Sequence, residues 1–312
     1  MAKKKTAMYT IIAVAIGDPG NNWRFNDPND ANLKKVRPYI SGLITWLADQ
    51  TNPPTPDPQN PLKKYVIGKQ YVVEYRECAK EDLAATFDIN PDLIFCMSTT
   101  VLDAAKQFTT TIPVVGIMSN PESEDWSQNP NVCGVSARRP QHAGSAYAEL
   151  KKQIGKKQIY YLSKAGYPPS DAAKLWLPKA AIEISIDSDE GPDDIVDKIH
   201  NTLPRGSSLL VLPVDQFFGA AKSIIAAAQT DQSASTYWMA PDYAGSVGAY
   251  GGYGVAQETC GHFMAERVAS IWSSSDGATI PDPPFVEIPE QWNKSRINKS
   301  VAKALKIKLK KK

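Results

Sequence analysis

The sequence predicts an α/β protein of two lobes, each built on a parallel sheet. Three observations carry this. Short apolar runs rich in Val and Ile alternate with amphipathic stretches along nearly the whole chain, as buried parallel strands and their crossover helices do. The alternation pauses twice, after Met118 and after Met239. The length of 312 residues also allows two domains.

The strand candidates come in order. They are Ile11 to Ile16, Tyr71 to Tyr75, Leu93 to Met97, Val114 to Met118, Gln158 to Leu162, Ile182 to Ile186, Leu209 to Leu212 and Tyr237 to Met239. Several lack polar alternation, the pattern of strands covered on both faces. Helical candidates lie between them at Leu33 to Leu47, Thr100 to Phe108, Gln141 to Ile154, Ala172 to Ala180, Asp193 to Leu203 and Phe217 to Ala228. Ile195, Val196, Ile199 and Leu203 recur at helical spacing. Val255 to Trp272 forms a late helix with Cys260, Phe263, Met264, Val268 and Ile271 on one side.

The first pause, Ser119 to Arg139, is loop-like and holds one short strand, Val132 to Ser136. The second, Pro241 to Gly254, is glycine-rich and reads as a hinge. These pauses place lobe 1 at 7–120 with about 250–280, lobe 2 at 137–242 with about 283–305, and a basic tail at 306–312. Gln50 to Lys64 carries five prolines and reads as an extended surface connection.

Composition narrows the function. The chain is 42% hydrophobic and 22% charged, as suits a globular protein with a core. No run approaches the ~20 apolar residues of a membrane-spanning helix. The net charge of +2 hides basic ends: without the twelve bases there, 23 bases face 33 acids. An acidic body argues against nucleic acid as a partner. Cys78, Cys96, Cys133 and Cys260 have no metal-ligand spacing and read as buried free thiols. Lys3 to Lys5 followed by Ala7 to Gly17 imitates a signal peptide, but no small-residue cleavage site follows, and the apolar stretch reads as the first strand.

In open parallel sheets ligands sit at the carboxyl ends of strands. Asp18 and Trp23 follow the first strand, Ser98 and Thr99 the third, and Ser119 and Asn120 the fourth. In the second half Tyr167, Asp215 and Asp242 occupy such positions. The Ser98-Thr99-Thr100 hydroxyls at a helix start suit a carboxylate, or simply cap the helix. Asp215 suits an ammonium group, or caps the helix after it. Trp23, Trp126 and Tyr167 offer stacking surfaces, or ordinary packing. No catalytic constellation, phosphate loop, dinucleotide fingerprint or metal-binding motif is present, so the expectation is a binding protein without cofactor or metal rather than an enzyme.

Successive blocks resemble a known family. Asn90-Pro91-Asp92-Leu93-Ile94-Phe95, Ser98-Thr99-Thr100, Thr111-Ile112-Pro113-Val114-Val115 and Asn131-Val132-Cys133-Gly134-Val135-Ser136 are similar, in order, to ABC-transporter substrate-binding proteins of the tryptophan/tyrosine-binding type. Tyr75-Arg76, Leu212-Pro213-Val214-Asp215, Gly248 to Gly254 and Ala302 to Leu305 extend the match over about 65–306. The resemblance implies two Rossmann-like lobes with parallel sheets joined by a multi-crossing hinge, the type I periplasmic-binding-protein arrangement. It implies a small-molecule ligand such as an amino acid between the lobes, an ABC permease as partner, and export. The missing signal peptide points instead to a non-exported ligand sensor on the same fold. An enzyme with its site in the inter-lobe cleft is the third reading. The long loop Gly17 to Asp30 and the proline-rich segment depart from the family pattern.

Overall fold

The computed structural model describes residues 8–16, 21–49, 65–87, 91–118, 125–137, 140–187 and 189–309. The proline-rich connection at 50–64 therefore lies outside the described residues. The chain forms two units, 1–137 with 257–288 and 138–256 with 289–312, so it passes between them three times.

The first unit is a seven-stranded sheet in the order β12-β6-β5-β4-β1-β3-β2. Its strands are β1 (Tyr9–Ile16), β2 (Asn22–Phe25), β3 (Tyr71–Cys78), β4 (Leu93–Cys96), β5 (Val114–Met118), β6 (Val132–Ser136) and β12 (Phe285–Glu287). All pairings are parallel except β2 with β3. The Val/Ile-rich β1 sits inside the sheet with Ile11 to Ala15 fully buried, which is why it reads as an unbroken apolar run.

Helices α1 (Pro38–Asp49), α2 (Leu83–Thr86), α3 (Thr99–Phe108) and α10 (Gln257–Ser273) cover this sheet. The sequence predicts one helix from Leu33 to Leu47. The structure gives a 3-10 turn, Ala31–Lys34, and starts α1 at Pro38. Proline disfavours helical backbone at the residue before it and is well suited to a first turn. Helices α1 and α10 approach closely: a Cβ on Gly42 would lie 2.1 Å from the Glu258 carbonyl oxygen, and one on Gly261 2.2 Å from that of Tyr39. Two glycines therefore set this crossing.

The second unit is a six-stranded sheet in the order β13-β11-β10-β9-β7-β8. Its strands are β7 (Ile159–Lys164), β8 (Ile182–Ile186), β9 (Ser208–Val211), β10 (Ser235–Trp238), β11 (Gly251–Val255) and β13 (Asn293–Ile297). All pair in parallel except β13. Helices α4 (Ala143–Ile154), α5 (Pro168–Lys174), α6 (Pro192–Thr202), α7 (Asp215–Gly219), α8 (Ala221–Ile225), α9 (Tyr243–Ser246) and α11 (Lys299–Ala304) accompany them. In α6 the predicted stripe Ile195, Ile199 and Leu203 is buried. The Asp194 carboxylate accepts the Gly191 N–H at 2.7 Å and secures the first turn.

Three expectations change here. The helix expected at Ala172 to Ala180 forms one turn earlier, because Pro168 and Pro169 open it. The helix expected at Phe217 to Ala228 is broken at Ala220 and finishes in a π-helical stretch, Ala226–Asp231. The last part of the glycine-rich run is a strand, Gly251–Val255, between β10 and β13, and the chain passes to the first unit just after it, between Ala256 and Gln257. A Cβ on Gly251 would meet the Tyr237 ring at 2.7 Å, and one on Gly252 the Ala240 carbonyl at 2.4 Å. Close strand packing, not flexibility, requires those glycines.

All four cysteines are buried free thiols. Burial pushes the Cys133 thiol up to about 11 despite the nearby Arg267. Among the described residues no helix is long and apolar enough to cross a membrane.

Candidate functional site

Several of the predicted residues follow inner strands of the two sheets. In the first unit β5, β4 and β1 lie side by side. Ser98 and Thr99 follow β4 after Met97, and β4 lies between β1, which ends at Ile16, and β5, which ends at Met118. Ser98 has extended backbone and caps α3, its Oγ accepting the Val101 N–H at 3.3 Å. The capping reading thus holds for Ser98, while Ser98, Thr99 and Thr100 are each only partly buried at the helix start. Asp18, Ser119 and Asn120 lie outside the described residues.

Trp23 is not in a loop. It sits in the edge strand β2, paired with Tyr75, with the Lys35 ammonium 5.2 Å from its ring centroid. Four residues with one buried side chain, Phe25, leave no apolar run from which to read this strand. Trp126 packs on Phe285 with ring centroids 4.4 Å apart, under the Lys106 ammonium.

Sequence reasoning missed a polar network at the carboxyl ends of β1 and β3. Arg37 Nη2 donates to the Ile16 carbonyl, and its Nε lies 3.5 Å from Glu77 Oε1. Tyr75 donates to the same carboxylate at 2.6 Å, and Asn21 Nδ2 to its other oxygen at 2.8 Å. Burial, reinforced by Glu77, raises the Tyr75 phenol well above its ordinary value, so it stays a donor. Tyr75-Arg76 was legible as a block, but Arg37 lies far off in sequence.

In the second unit the ends of β7, β9 and β10 are adjacent, and Tyr167, Asp215 and Asp242 follow them. Tyr167 is partly buried against the core, and its carbonyl accepts the N–H groups of Ser170 and Asp171 as α5 begins. Asp215 opens α7; its side chain lies outside the described residues. Asp242 precedes α9, its carboxylate 18% exposed and 4.0 Å from the Arg296 guanidinium on β13.

Two features here also escaped sequence reasoning. Lys164, the last residue of β7, donates from Nζ to Gln216 Oε1 at 2.8 Å, and Gln216 Nε2 donates to the Glu190 carbonyl. The hydrogen bond from Lys198 holds the Glu190 carboxyl below its usual range. This chain ties together the ends of β7, β8 and β9. Beside it, Trp238 and Tyr243 stack with centroids 4.8 Å apart, and Phe218 lies 5.2 Å from Tyr243. Trp238 Nε1 is buried with no hydrogen-bond partner. Trp238 and Tyr243 are buried in the core, so these strand ends offer the Lys164 ammonium, the Asp242 carboxylate and the partly buried Tyr167 and Phe218 rings, a set suited to orienting a small polar molecule. Among the described residues no cluster of three or more His, Cys, Asp or Glu side chains is placed to hold a metal ion.

No protein-family model and no curated protein matches the chain. Solved structures do. A conserved domain protein from Vibrio cholerae O1 biovar El Tor matches at 16% identity over 98% of this chain and 97% of its own, with a TM-score of 0.71. An ABC domain from Streptococcus pneumonia in complex with L-Trp matches at 14% identity over 96% of both chains, with a TM-score of 0.65. A ligand-free, open substrate-binding protein with adhesive properties from Clostridium difficile matches at 14% identity over 97% of this chain and 96% of its own, with a TM-score of 0.54. With its two parallel-dominated α/β units and three interunit passages, the chain has the type I periplasmic-binding-protein fold, which solved solute-binding proteins of ABC transporters share.

Proposed function

We propose that the chain is a small-molecule receptor that closes on its ligand and does no chemistry on it, and that it serves an ABC importer. One observation carries the reading: Tyr167, Asp215 and Asp242 follow three adjacent strands of the second sheet, and Ser98 and Thr99 follow the inner strand β4 of the first, the place where open α/β sheets take ligands. The solute-binding proteins that share this fold support it. Binding then favours the closed state in proportion to its extra contacts there.

The ligand we propose is an amino acid or similar small carboxylate. The Ser98-Thr99 helix start and the Lys164 ammonium suit a carboxylate, Asp215 an ammonium, and the partly buried Tyr167 and Phe218 rings an apolar or aromatic side chain. Structures of this fold are described with L-Trp, 3,4-dihydroxy benzoic acid and α-D-tagatopyranose, so the fold alone leaves the ligand class open. A LacI family transcriptional regulator from Mycobacterium smegmatis shares the fold with a TM-score of 0.53. It supports the second reading, a non-exported sensor.

The test is a thermal-shift screen of the full chain against amino acids, aromatic carboxylates and sugars. A true ligand raises the melting temperature with concentration, by ~2.7 kcal/mol of stabilisation at a hundred times Kd. Asp215→Ala should abolish an amino acid's shift while the free protein melts as before. A shift with sugars alone would overturn the amino-acid reading; no shift with any of these compounds would overturn the receptor reading.

A further inference from the structure

The second unit carries its charge unevenly. Between 140 and 182 seven lysines face two acids, whereas 183 to 197 holds seven acids and no base. The basic part also bears the most exposed large apolar side chains of the described residues. Leu175 is 85% exposed and Trp176 54%, and both follow the last turn of α5. Neighbouring Ile182, in the edge strand β8, is 43% exposed.

Short contacts make these pieces one continuous patch. A Cβ on Gly144 of α4 would lie 2.8 Å from the Trp176 carbonyl, so α4 runs directly beneath this segment. Gln158 donates to the Ala180 carbonyl at 2.7 Å, and Lys151 to the Lys157 carbonyl at 3.0 Å, which brings the turn after α4 to the same side. A shallow groove of about 670 Å³ separates α4 from Trp176, walled by Tyr147, Leu177 and Pro178 and by the stems of Lys151 and Lys152. Lys156 and Lys179 are exposed, and the Lys152 side chain is 67% exposed while pairing with Glu149 at 2.5 Å.

We propose that this patch is a docking surface for an anionic lipid bilayer. Leu175 stands outside the groove and projects, and Trp176 forms the groove's exposed rim, so the pair suits insertion at the headgroup and acyl boundary, where a Trp ring is at home. The lysines around them suit the phosphates of anionic lipid, each adding attraction near the surface. An adjoining partner protein would need a complementary cup for an almost fully exposed Leu, whereas a bilayer yields to it. The inference does not rest on the receptor reading, because the patch is distinct from the strand ends.

The test is co-sedimentation of the full chain with vesicles of phosphatidylcholine alone and of equimolar phosphatidylcholine and phosphatidylglycerol. Binding is expected only to the anionic vesicles, weakening as salt rises. Lys152→Glu with Lys179→Glu should reduce it by roughly tenfold or more, and Leu175→Ser with Trp176→Ser by about tenfold. A blue shift of tryptophan emission on binding should vanish in Trp176→Phe. The proposal is overturned if anionic vesicles do not bind. It is also overturned if binding survives Leu175→Ser/Trp176→Ser unchanged, which would assign it to the basic chain ends. A Trp176 emission shift with poly-glutamate but not with vesicles would overturn it in favour of an acidic protein surface.

Discussion

Substituting Gly42 by alanine should destabilise the first unit although alanine is the better helix former. The added Cβ would lie 2.1 Å from the Glu258 carbonyl oxygen, where real Cβ contacts essentially never fall below 3.0 Å. The opposing atom is backbone, so no side-chain rotation relieves the overlap. Helices α1 and α10 must part by about 1 Å, which puts the overpacking cost at the top of its usual range, ~3 kcal/mol. The gain in helix propensity is ~1 kcal/mol, so the net loss is about 2 kcal/mol. For a unit of this size that lowers the melting temperature by roughly 4–8 °C. Gly261→Ala should behave alike, since its Cβ would meet the Tyr39 carbonyl at 2.2 Å. Gly219→Ala is the control: nothing lies within 4 Å of its Cβ, and its φ is outside the left-handed region. Calorimetry of the three variants decides the matter. If Gly42→Ala melts at or above wild type while Gly219→Ala is neutral, the two-glycine crossing does not hold the helices together.

Other outcomes follow from the same structure. His262 has both ring nitrogens buried without partners, and burial holds its pKa below 6.5 against the opposing effect of Glu258. Its unfolded state therefore binds the proton more readily, so stability should fall as pH drops from about 6.5 toward the lower folded value; urea titrations should show a shallower fall in His262→Leu. Arg267 donates from one nitrogen to the carbonyls of Pro281, Pro283 and Pro284, so Arg267→Leu should cost ~3 kcal/mol or more by stranding buried acceptors. Hydrogen exchange should show the loss first at Gly134 and Ile288, whose amides pair β6 with the β12 region. Ser98→Ala should cost about 1 kcal/mol as a lost helix cap, whereas Ser98→Asp should keep the cap. An unchanged carboxylate-ligand shift in Ser98→Asp would remove Ser98 from the proposed site.

The order of elements and most buried strands could be read from the chain because they depend on local pattern. A strand covered on both faces must be apolar throughout, as Ile11 to Ala15 are, and α6 must carry its apolar stripe at Ile195, Ile199 and Leu203. The residues after β4, β7, β9 and β10 were legible for the same reason, since a strand's carboxyl end is local information. What a residue meets across the fold is not. β2, β12 and β13 are short edge strands whose only cause is a neighbouring strand. The glycines of β11 look like flexibility until Tyr237 and Ala240 stand against them, and Gly42 looks incidental until α10 returns from more than two hundred residues away. The links from Arg37 to Glu77 and from Lys164 to Gln216 likewise join groups far apart in sequence. Which segments must hide from water is therefore written in local pattern. Which backbone each glycine must admit, and which charge each polar group faces, arises only once distant segments meet.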